Sequence, residues 1–368
     1  MLERCVSPTV GRRRWGAYFV CGVVGWLAGL TLVTVLATAA GLDGQSRAIL
    51  ALTPPVTLLL TIRATPRIFG QERIVFYEQA LATIGVTALV AWVAGRPVAT
   101  TIDLATIGVG TFLACGRVGC FKVACCHGRP ARRGVAYRHV HASAGFPARW
   151  VGVRLLPVQL IDAAVSATMV GTATAWWLAG APAGAAACLY AGGYGAARFG
   201  LELLRGDTLR PRLAGATEAQ WTAALTTAAA ALWRPAWWSI AAAATIGLAL
   251  AGLVIARRRG AIDRLWLASA WHVDEVAGLL GGLVLRPGSS ATTGEGVRLS
   301  AARLPDGRVD LIVSRPGRAP SEAAIRGLAA RLGRPWRGWS VVAARTPGLV
   351  HVILDDRPDA DQGAAGAG

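Results

Sequence analysis

The sequence predicts an all-α polytopic membrane protein of about seven transmembrane helices, followed by a small C-terminal α+β soluble domain. Hydrophobic residues make up 54% of the 368 residues, and the mean hydropathy of +0.47 is high for a soluble protein of this length. Several apolar stretches approach or exceed the ~20 residues that cross a bilayer core. This apolar character ends near residue 260, where a more polar sequence begins.

Six apolar stretches are predicted to form membrane helices, and a longer apolar region follows them. The six stretches are residues 15–40, 47–63, 75–95, 102–121, 157–179 and 184–204. The region 218–256 is interrupted by Arg234-Pro235, so it forms either one kinked helix or two shorter ones. One helix gives seven spans and an external N-terminus, whereas two give eight spans and an internal one.

Basic residues orient these helices, because cytoplasmic loops carry an excess of Arg and Lys. Arg257-Arg258-Arg259 ends the apolar region and favours a cytoplasmic C-terminal side. Arg12-Arg13-Arg14 precedes the first stretch and favours an internal N-terminus, which agrees with eight spans. The charges therefore leave the choice between seven and eight spans open.

Composition divides the chain into four segments. Residues 1–14 form a basic N-terminal segment, 15–260 a membrane domain, 262–356 a small soluble domain, and 357–368 a disordered tail rich in Asp, Gly and Ala. Residues 262–368 carry 13 Arg against 11 Asp and Glu, so most of the net charge of +18 lies before them. In a membrane protein such basic loops attract anionic lipid headgroups, and we expect no nucleic-acid partner.

The segment 262–356 shows strand and turn signals. Val297 to Leu304 and Arg308 to Ser314 flank Pro305-Asp306-Gly307 and predict a β-hairpin. Ser321 is placed to cap a helix that runs to Leu332. A second hairpin is predicted from Val341 to Ala344 and from Leu349 to Leu354, joined by Thr346-Pro347-Gly348.

Charged side chains occur inside the apolar stretch 184–204. Tyr194, Arg198 and Glu202 are four residues apart and share one face of a helix. Each charge costs roughly 2.5–3.5 kcal/mol on membrane insertion scales, and such residues usually mark a functional site. The alternative is an ion pair between Arg198 and Glu202 that only neutralises itself in the bundle.

A second basic constellation begins at Arg117, near the end of the fourth stretch. Arg117 lies between Gly116 and Gly119, and no acidic residue follows it from Lys122 to Arg154, a segment with several arginines. Guanidinium groups bind phosphate in a bidentate manner, so this loop is a candidate site for the headgroup of an anionic phospholipid. A solvated basic loop at the membrane surface explains the same charges.

Four potential soft ligands cluster in this loop: Cys120, Cys125, Cys126 and His127. Their C-x4-C-C-H spacing is a poor match to structural zinc sites, so we predict neither a metal nor a cofactor. A redox pair, a reactive thiolate or inert packing cysteines are the open interpretations.

Three motifs in order resemble the prolipoprotein diacylglyceryl transferase family. They are Gly116-Arg117-Val118-Gly119-x-Phe121 with Gly128-Arg129-Pro130, then Pro157-Val-Gln159-Leu160-Ile-Asp162-Ala163, and then Tyr194-Gly-x-x-Arg198-Phe-x-x-Glu202-x-x-Arg205-Gly206-Asp207. The first span also fits through Tyr18 and Ala28-Gly29-Leu30. The resemblance covers about residues 16–256, and it favours seven spans with the N-terminus outside.

The resemblance implies a multi-pass enzyme of the bacterial cytoplasmic (inner) membrane. Such an enzyme transfers a diacylglyceryl group from phosphatidylglycerol to the lipobox cysteine thiol in the signal peptide of a preprolipoprotein. Arg117 and Arg198 are then expected to hold the phosphate, with Tyr194 and Glu202 orienting Arg198. The residues implied to bind substrate are Tyr18, Cys120, Cys125, Gly128, Arg129 and Gln159.

The sequence departs from the family pattern at three places. The family often has asparagine at the position of Cys120 and glutamate at that of Cys125. Its His-Gly-Gly before the third span is replaced by Phe76-Tyr77-Glu78-Gln79-Ala80, so either Tyr77 or Glu78 takes the histidine's place. That histidine is a candidate acceptor of the thiol proton, and Glu78 is the predicted catalytic substitute if burial raises its pKa.

These departures keep two other functions open. One is a related lipid-headgroup or acyl transferase in which Cys120 or Cys125 is the nucleophile. The other is a catalytically inactive, lipid-binding membrane scaffold whose C-terminal domain binds a partner.

Overall fold

The structure is a computed structural model. It describes residues 6, 9–10, 13–69, 76–142, 145–147, 150–206, 212–259, 267, 269–286, 288–293, 296–314, 322–332, 338–344 and 349–355. The chain forms two compact units. Unit 1 comprises residues 1–205 and 216–250, and unit 2 comprises residues 206–215 and 251–368.

Helices dominate the chain up to residue 258. They are α1 (Ala17–Ala39), α2 (Gly44–Phe69), α3 (Phe76–Val93), α4 (Val98–Lys122), α5 (His139–Ala142), α6 (Val158–Leu178), α7 (Ala185–Leu203), α8 (Glu218–Trp233) and α9 (Trp237–Arg258). Six short strands accompany them: β1 (Thr9–Val10), β2 (Arg13–Arg14), β3 (Pro130–Ala136), β4 (Arg154–Leu155), β5 (Arg212–Leu213) and β6 (Ala216–Thr217).

Five of the described helices are long and apolar enough to cross a membrane. The five spans are Ala17–Ala39, Gly44–Thr65, Phe76–Val93, Val98–Lys122 and Trp237–Arg257. The predicted count of seven is not confirmed by these measures of length and hydropathy. The region 218–256 forms the two helices α8 and α9, because Arg234 leaves the helical conformation ahead of Pro235.

Glycines allow α1 and α4 to cross closely. A Cβ at Gly25 would lie 2.7 Å from Cys115 Cβ, and one at Gly29 would lie 2.9 Å from the Gly108 carbonyl oxygen. Small residues at such crossings let membrane helices approach until their backbones touch. This contact fixes α4, which carries Arg117, against the first span.

A carboxylate from α4 fixes the start of α7. Asp103 is fully buried, and its two oxygens accept the backbone N–H groups of Gly184 at 2.6 Å and Ala187 at 2.7 Å. These N–H groups have no partner within their own helix, and a negative charge is favourable at a helix N-terminus. The helix that carries Tyr194, Arg198 and Glu202 is therefore held in register with α4.

Unit 2 contains a five-stranded antiparallel sheet in the order β10-β11-β9-β8-β7. The strands are β7 (Ala291–Thr292), β8 (Arg298–Arg303), β9 (Val309–Ser314), β10 (Gly338–Ala343) and β11 (Leu349–Asp355), and the helices are α10 (Ala270–Leu285) and α11 (Glu322–Leu332). Alternate residues of the central strands, such as Val309, Leu311 and Val313, are fully buried in one core with both helices. The predicted α+β character of this region is thus observed.

The first predicted hairpin is confirmed, since β8 pairs with β9 across the turn at Pro305-Asp306-Gly307. The second predicted pair of strands is also present as β10 and β11. Its turn residues 346–348, the proposed cap Ser321 and the tail 357–368 lie outside the described residues. The sequence reading did not anticipate α10, which contains Gly278, Gly281 and Gly282.

Candidate active site

One face of α7 carries the predicted charged pair. Tyr194, Arg198 and Glu202 are all buried, and Arg198 is only 1% exposed. Arg198 Nη2 lies 2.7 Å from Glu202 Oε2, and Arg205 Nε lies 3.9 Å from the same oxygen. The four-residue spacing therefore produces the ion pair that the sequence predicts. The negative charge of Glu202 therefore lies near the positive charges of both Arg198 and Arg205.

A second ion pair joins α4 to α6. Arg117 Nε lies 2.7 Å from Asp162 Oδ2, and both side chains are buried. The Tyr194 hydroxyl donates a hydrogen bond to Asp162 Oδ1 at 3.0 Å. Tyr194 thus supports Arg117 through Asp162, whereas the resemblance led us to expect that it orients Arg198.

Tyr77 lies near both ion pairs. Its hydroxyl is within electrostatic range of Arg198, Asp162, Arg117 and Glu202. This hydroxyl is buried and has no hydrogen-bond partner among the described residues. Tyr77 lies in the first turn of α3, so four helices bring side chains to one cluster. We call Tyr77, Arg117, Asp162, Tyr194, Arg198, Glu202 and Arg205 the arginine cluster.

Glu78 directly follows Tyr77 in α3, but its side chain leaves the helix in another direction. Successive residues of an α-helix are about 100° apart, so Glu78 and Tyr77 point to different sides of α3. Glu78 is half-buried, while the Tyr77 hydroxyl meets the charged groups of the arginine cluster. Of Tyr77 and Glu78, Tyr77 is the residue whose hydroxyl lies within electrostatic range of Arg117 and Arg198.

Among the described residues, the arginine cluster has more positive than negative charges. Three buried arginines, at 117, 198 and 205, face the two buried carboxylates of Asp162 and Glu202 in this part of the chain. Arg198 Nε and Nη1 are also buried without a hydrogen-bond partner in the part of the chain that is described. Buried charges and donors are costly unless they are compensated. Such a cluster is suited to an anionic group with several acceptor oxygens, such as a phosphate.

The cysteines lie one helical turn beyond Arg117. Cys120 is buried at the end of α4, and Ala124 and Cys126 adopt left-handed φ values of 61° and 55° in the turn that follows. This turn brings the sulfur atoms of Cys120, Cys125 and Cys126 within 4.8 Å of one another. Hydrogen bonds from the other two thiols hold the pKa of the Cys126 thiol well below its ordinary value.

Gln159 ties this turn to α6. Its Nε2 donates to the Cys125 carbonyl oxygen at 2.7 Å and to the Tyr137 hydroxyl at 3.3 Å. Gln159 is buried one turn before Asp162, so α6 supports the cysteine turn and Arg117 from the same face. The predicted substrate residue Gln159 therefore positions the cysteine turn.

Gly128 and Arg129 have packing roles in the following segment. A Cβ at Gly128 would lie 2.4 Å from the Leu156 carbonyl oxygen, which accounts for the glycine without a ligand. Arg129 donates from its backbone N–H to Leu204 O at 3.0 Å and from Nε to Leu203 O at 3.1 Å. Arg129 thus satisfies carbonyls at the end of α7. Neither residue is placed in the arginine cluster by these contacts.

Tyr18 and the basic loop lie around these groups. Tyr18 on α1 is 46% exposed, and it is within electrostatic range of Arg117 and of Cys120, Cys125 and Cys126. Four arginines of the loop, at 132, 133, 138 and 154, are exposed, and Arg149 lies outside the described residues. The exposed loop arginines are therefore separate from the buried arginine cluster.

Three members of the cluster, Tyr77, Asp162 and Arg205, were missed as candidate site residues. Asp162 is the only carboxylate of the apolar helix α6, and its spacing from Gln159 and Ser166 marks a buried polar face. That signal was present in the sequence. Tyr77 carried no comparable signal, because a shift of one residue in alignment decides between it and Glu78.

An apolar groove opens beside the cluster within unit 1. It has an empty volume of about 670 Å³ and is lined mainly by apolar residues of α1 to α4, among them Trp26, Leu58 and Phe112. Phe76 also lines the groove, and its ring packs edge-on against Tyr77 with centroids 6.2 Å apart. An apolar space therefore adjoins a polar, positively charged one.

These features define a multi-pass membrane protein with a buried, net positive cluster between its helices. Residues 74–235 match the family model of prolipoprotein diacylglyceryl transferase, and this match supports membership in the family. The family is one of transferases that act on lipid and lipoprotein substrates in membranes. The matched segment runs from just before α3 to just after α8 and contains the whole arginine cluster. A comparison with curated proteins gives no match.

Proposed function

We propose that the protein transfers the diacylglyceryl group of phosphatidylglycerol to the thiol of a lipobox cysteine in a preprolipoprotein. The bond between the glyceryl carbon and the phosphate oxygen breaks, and a carbon–sulfur bond forms. The thiol loses its proton, and glycerol phosphate leaves with the electron pair of the broken bond. The observation that carries this proposal is Arg198, whose Nε and Nη1 atoms are buried and have no acceptor among the described residues.

The phosphate is assigned to Arg117 and Arg198. Negative charge grows on the departing phosphate oxygens, and guanidinium donors in a site shielded from water stabilise it most in the transition state. Asp162 and Glu202 keep the two guanidinium groups in place without neutralising all three arginines. The Tyr77 hydroxyl is a further donor for the same phosphate, because it is buried among these charges without a partner.

The acyl chains are assigned to the apolar groove of α1 to α4. The groove is lined mainly by apolar side chains, as ligand sites for hydrocarbon are, and one edge of it is Phe76 beside Tyr77. The donor lipid then places its headgroup phosphate in the cluster and its hydrocarbon in the groove. Glu78 remains the predicted acceptor of the thiol proton, from the first turn of α3.

The test is direct. The purified protein is reconstituted with phosphatidylglycerol and a lipobox peptide, and the thioether product is measured by mass spectrometry. Product is expected with phosphatidylglycerol and a cysteine peptide, and not with the matching serine peptide. Arg132→Ala removes an exposed loop arginine and serves as the control for Arg198→Ala. The proposal fails if the parent protein makes no thioether under conditions in which a known member of the family does.

We also propose that all eight long helices of the membrane region cross the bilayer. Helix α8 runs antiparallel to α7 along its length, as shown by Thr227 Oγ1 on Ala191 O at 3.3 Å and Cys188 Sγ on Ala230 O at 3.5 Å. If α7 crosses the membrane, α8 therefore crosses it beside α7. Eight spans place Arg12-Arg13-Arg14 and Arg257-Arg258-Arg259 on one side, the cytoplasm by the positive-inside rule.

Reporter fusions test this topology. A reporter that is active only outside the cytoplasm is fused ahead of residue 15 or after residue 259 in a bacterial host. Both fusions are expected to be inactive, and a cytoplasmic reporter at the same positions is expected to be active. Opposite sides for the two positions would exclude eight spans in favour of seven.

A further inference from the structure

We propose that Cys120, Cys125 and Cys126 bind one thiophilic metal ion, with zinc as the best match. The three sulfur atoms lie within 4.8 Å of one another, although their spacing along the chain resembles no usual zinc motif. Ligands at a zinc–sulfur distance of about 2.3 Å have their sulfurs about 4 Å apart, so small side-chain rotations suffice. The structure thus assembles a ligand set that spacing alone argued against.

The backbone around the three sulfurs is specialised. Ala124 and Cys126 both adopt positive φ, a conformation that costs free energy in residues other than glycine and often marks functional sites. Gln159 holds the Cys125 carbonyl at 2.7 Å from the side of α6. This turn folds Cys125 and Cys126 back onto Cys120. Cysteines that only pack in the core would need neither the strained backbone of this turn nor the hydrogen bond that the buried Gln159 side chain donates to it.

His127 does not complete the set. Its Nδ1 lies 3.0 Å from the Gly128 carbonyl oxygen, and its ring packs edge-on against Phe146 and Trp150. A zinc ion held by three protein ligands keeps a fourth position for water or substrate. Cys125 is exposed, so the site is accessible from one side.

The fourth position has a chemical match in the proposed reaction. The acceptor there is a thiol, and a thiol that binds zinc is deprotonated. Cys120 lies three residues after Arg117 on the same face of α4, one turn from the assigned phosphate site. An acceptor thiol at this position loses its proton, for which Glu78 is the acceptor in the proposed reaction, and attacks the glyceryl carbon as a thiolate. This second part rests on the proposed function, whereas metal binding does not.

Metal binding is tested on the full-length protein in detergent, purified with a reductant and stripped of metal. After addition of Zn²⁺ and removal of free ion, one zinc per chain is expected. The triple Cys→Ser variant at positions 120, 125 and 126 is expected to retain only background zinc. Cys126→Ser alone is expected to weaken binding at least ~100-fold, since even groups that only support a ligand contribute 10–100-fold. Cys21→Ser, in α1 and outside the cluster, is the matched control.

Two results would overturn the metal site: no stoichiometric zinc in the parent protein, or equal zinc in the triple variant. Folding of each variant is checked by its elution profile. Because this assay contains neither donor lipid nor acceptor, its outcome is independent of transferase activity.

The acceptor role is tested with Co²⁺ in place of zinc. A lipobox peptide is expected to raise the sulfur-to-cobalt charge-transfer absorption by about a third, because a fourth thiolate joins three. The peptide with serine in place of cysteine is the control. An unchanged spectrum with the cysteine peptide would overturn the acceptor role and leave a structural ion.

Discussion

Buried polar groups are treated differently in the two units of this protein. In unit 2, His272 is fully buried, and its ring nitrogens meet the Leu267 carbonyl oxygen at 2.8 Å and Thr293 Oγ1 at 3.0 Å. In unit 1, Arg198 and the hydroxyl of Tyr77 are buried with donor groups that have no acceptor among the described residues. Satisfied polar groups stabilise a fold, and unsatisfied ones in a native protein call for an explanation. The difference between these residues and His272 supports the proposal that the ligand site lies in unit 1.

The largest expected effect is at Arg198. Arg198→Ala is expected to lower thioether formation by ~10³-fold or more, since single donors to a developing anion contribute 10²–10³-fold. Arg198→Lys keeps the charge but loses the planar fork, and it is expected to retain only part of the activity. Product formation by mass spectrometry is the measurement. If Arg198→Ala lowered thioether formation no more than Arg132→Ala does, the buried arginine would be no more important for activity than the exposed one.

The next largest loss of activity is expected at Asp162 and Tyr194. Asp162 supports Arg117 directly, and Tyr194 supports it only through Asp162. Asp162→Asn is expected to lower activity ~10²-fold, and Tyr194→Phe ~10-fold, because each weakens the support of one guanidinium group. The double variant is expected to match Asp162→Asn alone. Additive losses in this double-mutant cycle would show that Tyr194 acts elsewhere than through Asp162.

Tyr77→Phe separates activity from stability. It removes a hydroxyl that has no hydrogen-bond partner among the described residues, so the melting temperature is expected to stay the same or rise. Activity is expected to fall ~10-fold, because a donor to the phosphate is lost. Activity assays and thermal melts of the same preparations give the two values. A lower melting temperature with unchanged activity would assign the hydroxyl a structural role.

Thr293→Val is the opposite case in unit 2, with the smallest expected effect on activity. It removes one hydrogen-bond partner of His272 and is expected to lower the free energy of unfolding by about 1–3 kcal/mol. Thioether formation per folded molecule is expected to be unchanged. Hydrogen exchange of the amides in Ala270–Leu285 measures the loss of local stability. A reduced rate of transfer would mean that the His272 region contributes to the reaction.

Local patterns predicted part of this architecture. The face formed by Tyr194, Arg198 and Glu202 follows from helical periodicity alone, and the ion pair of Arg198 with Glu202 is found as predicted. The partner of Arg117 lies 45 residues away in another helix, so no local pattern indicates that Asp162 pairs with it. The family motif contains Asp162 but does not state its contact.

Other features depend on the backbone in ways that a sequence does not display. Arg234-Pro235 is compatible with both a kink and a break, and packing of α8 against α7 decides for two helices. The gathering of three sulfurs depends on positive φ values at Ala124 and Cys126, residues without a preference for that conformation. Whether Tyr77 or Glu78 faces the arginine cluster depends on how α3 is rotated about its axis. A shift of one residue along the helix would exchange the two side chains.

The unsatisfied guanidinium of Arg198 also bears on how the protein behaves outside its membrane. A ligand that binds only the folded state stabilises it, by an amount that grows with the ratio of ligand concentration to Kd, and an anionic phospholipid supplies acceptors for Arg198 Nε and Nη1. Detergent extraction that strips such lipid therefore leaves the protein in its least stable form. Phosphatidylglycerol added during purification is expected to raise the melting temperature, and to do so less in Arg198→Ala. Under the proposed function, the same lipid is therefore expected to be both substrate and stabiliser.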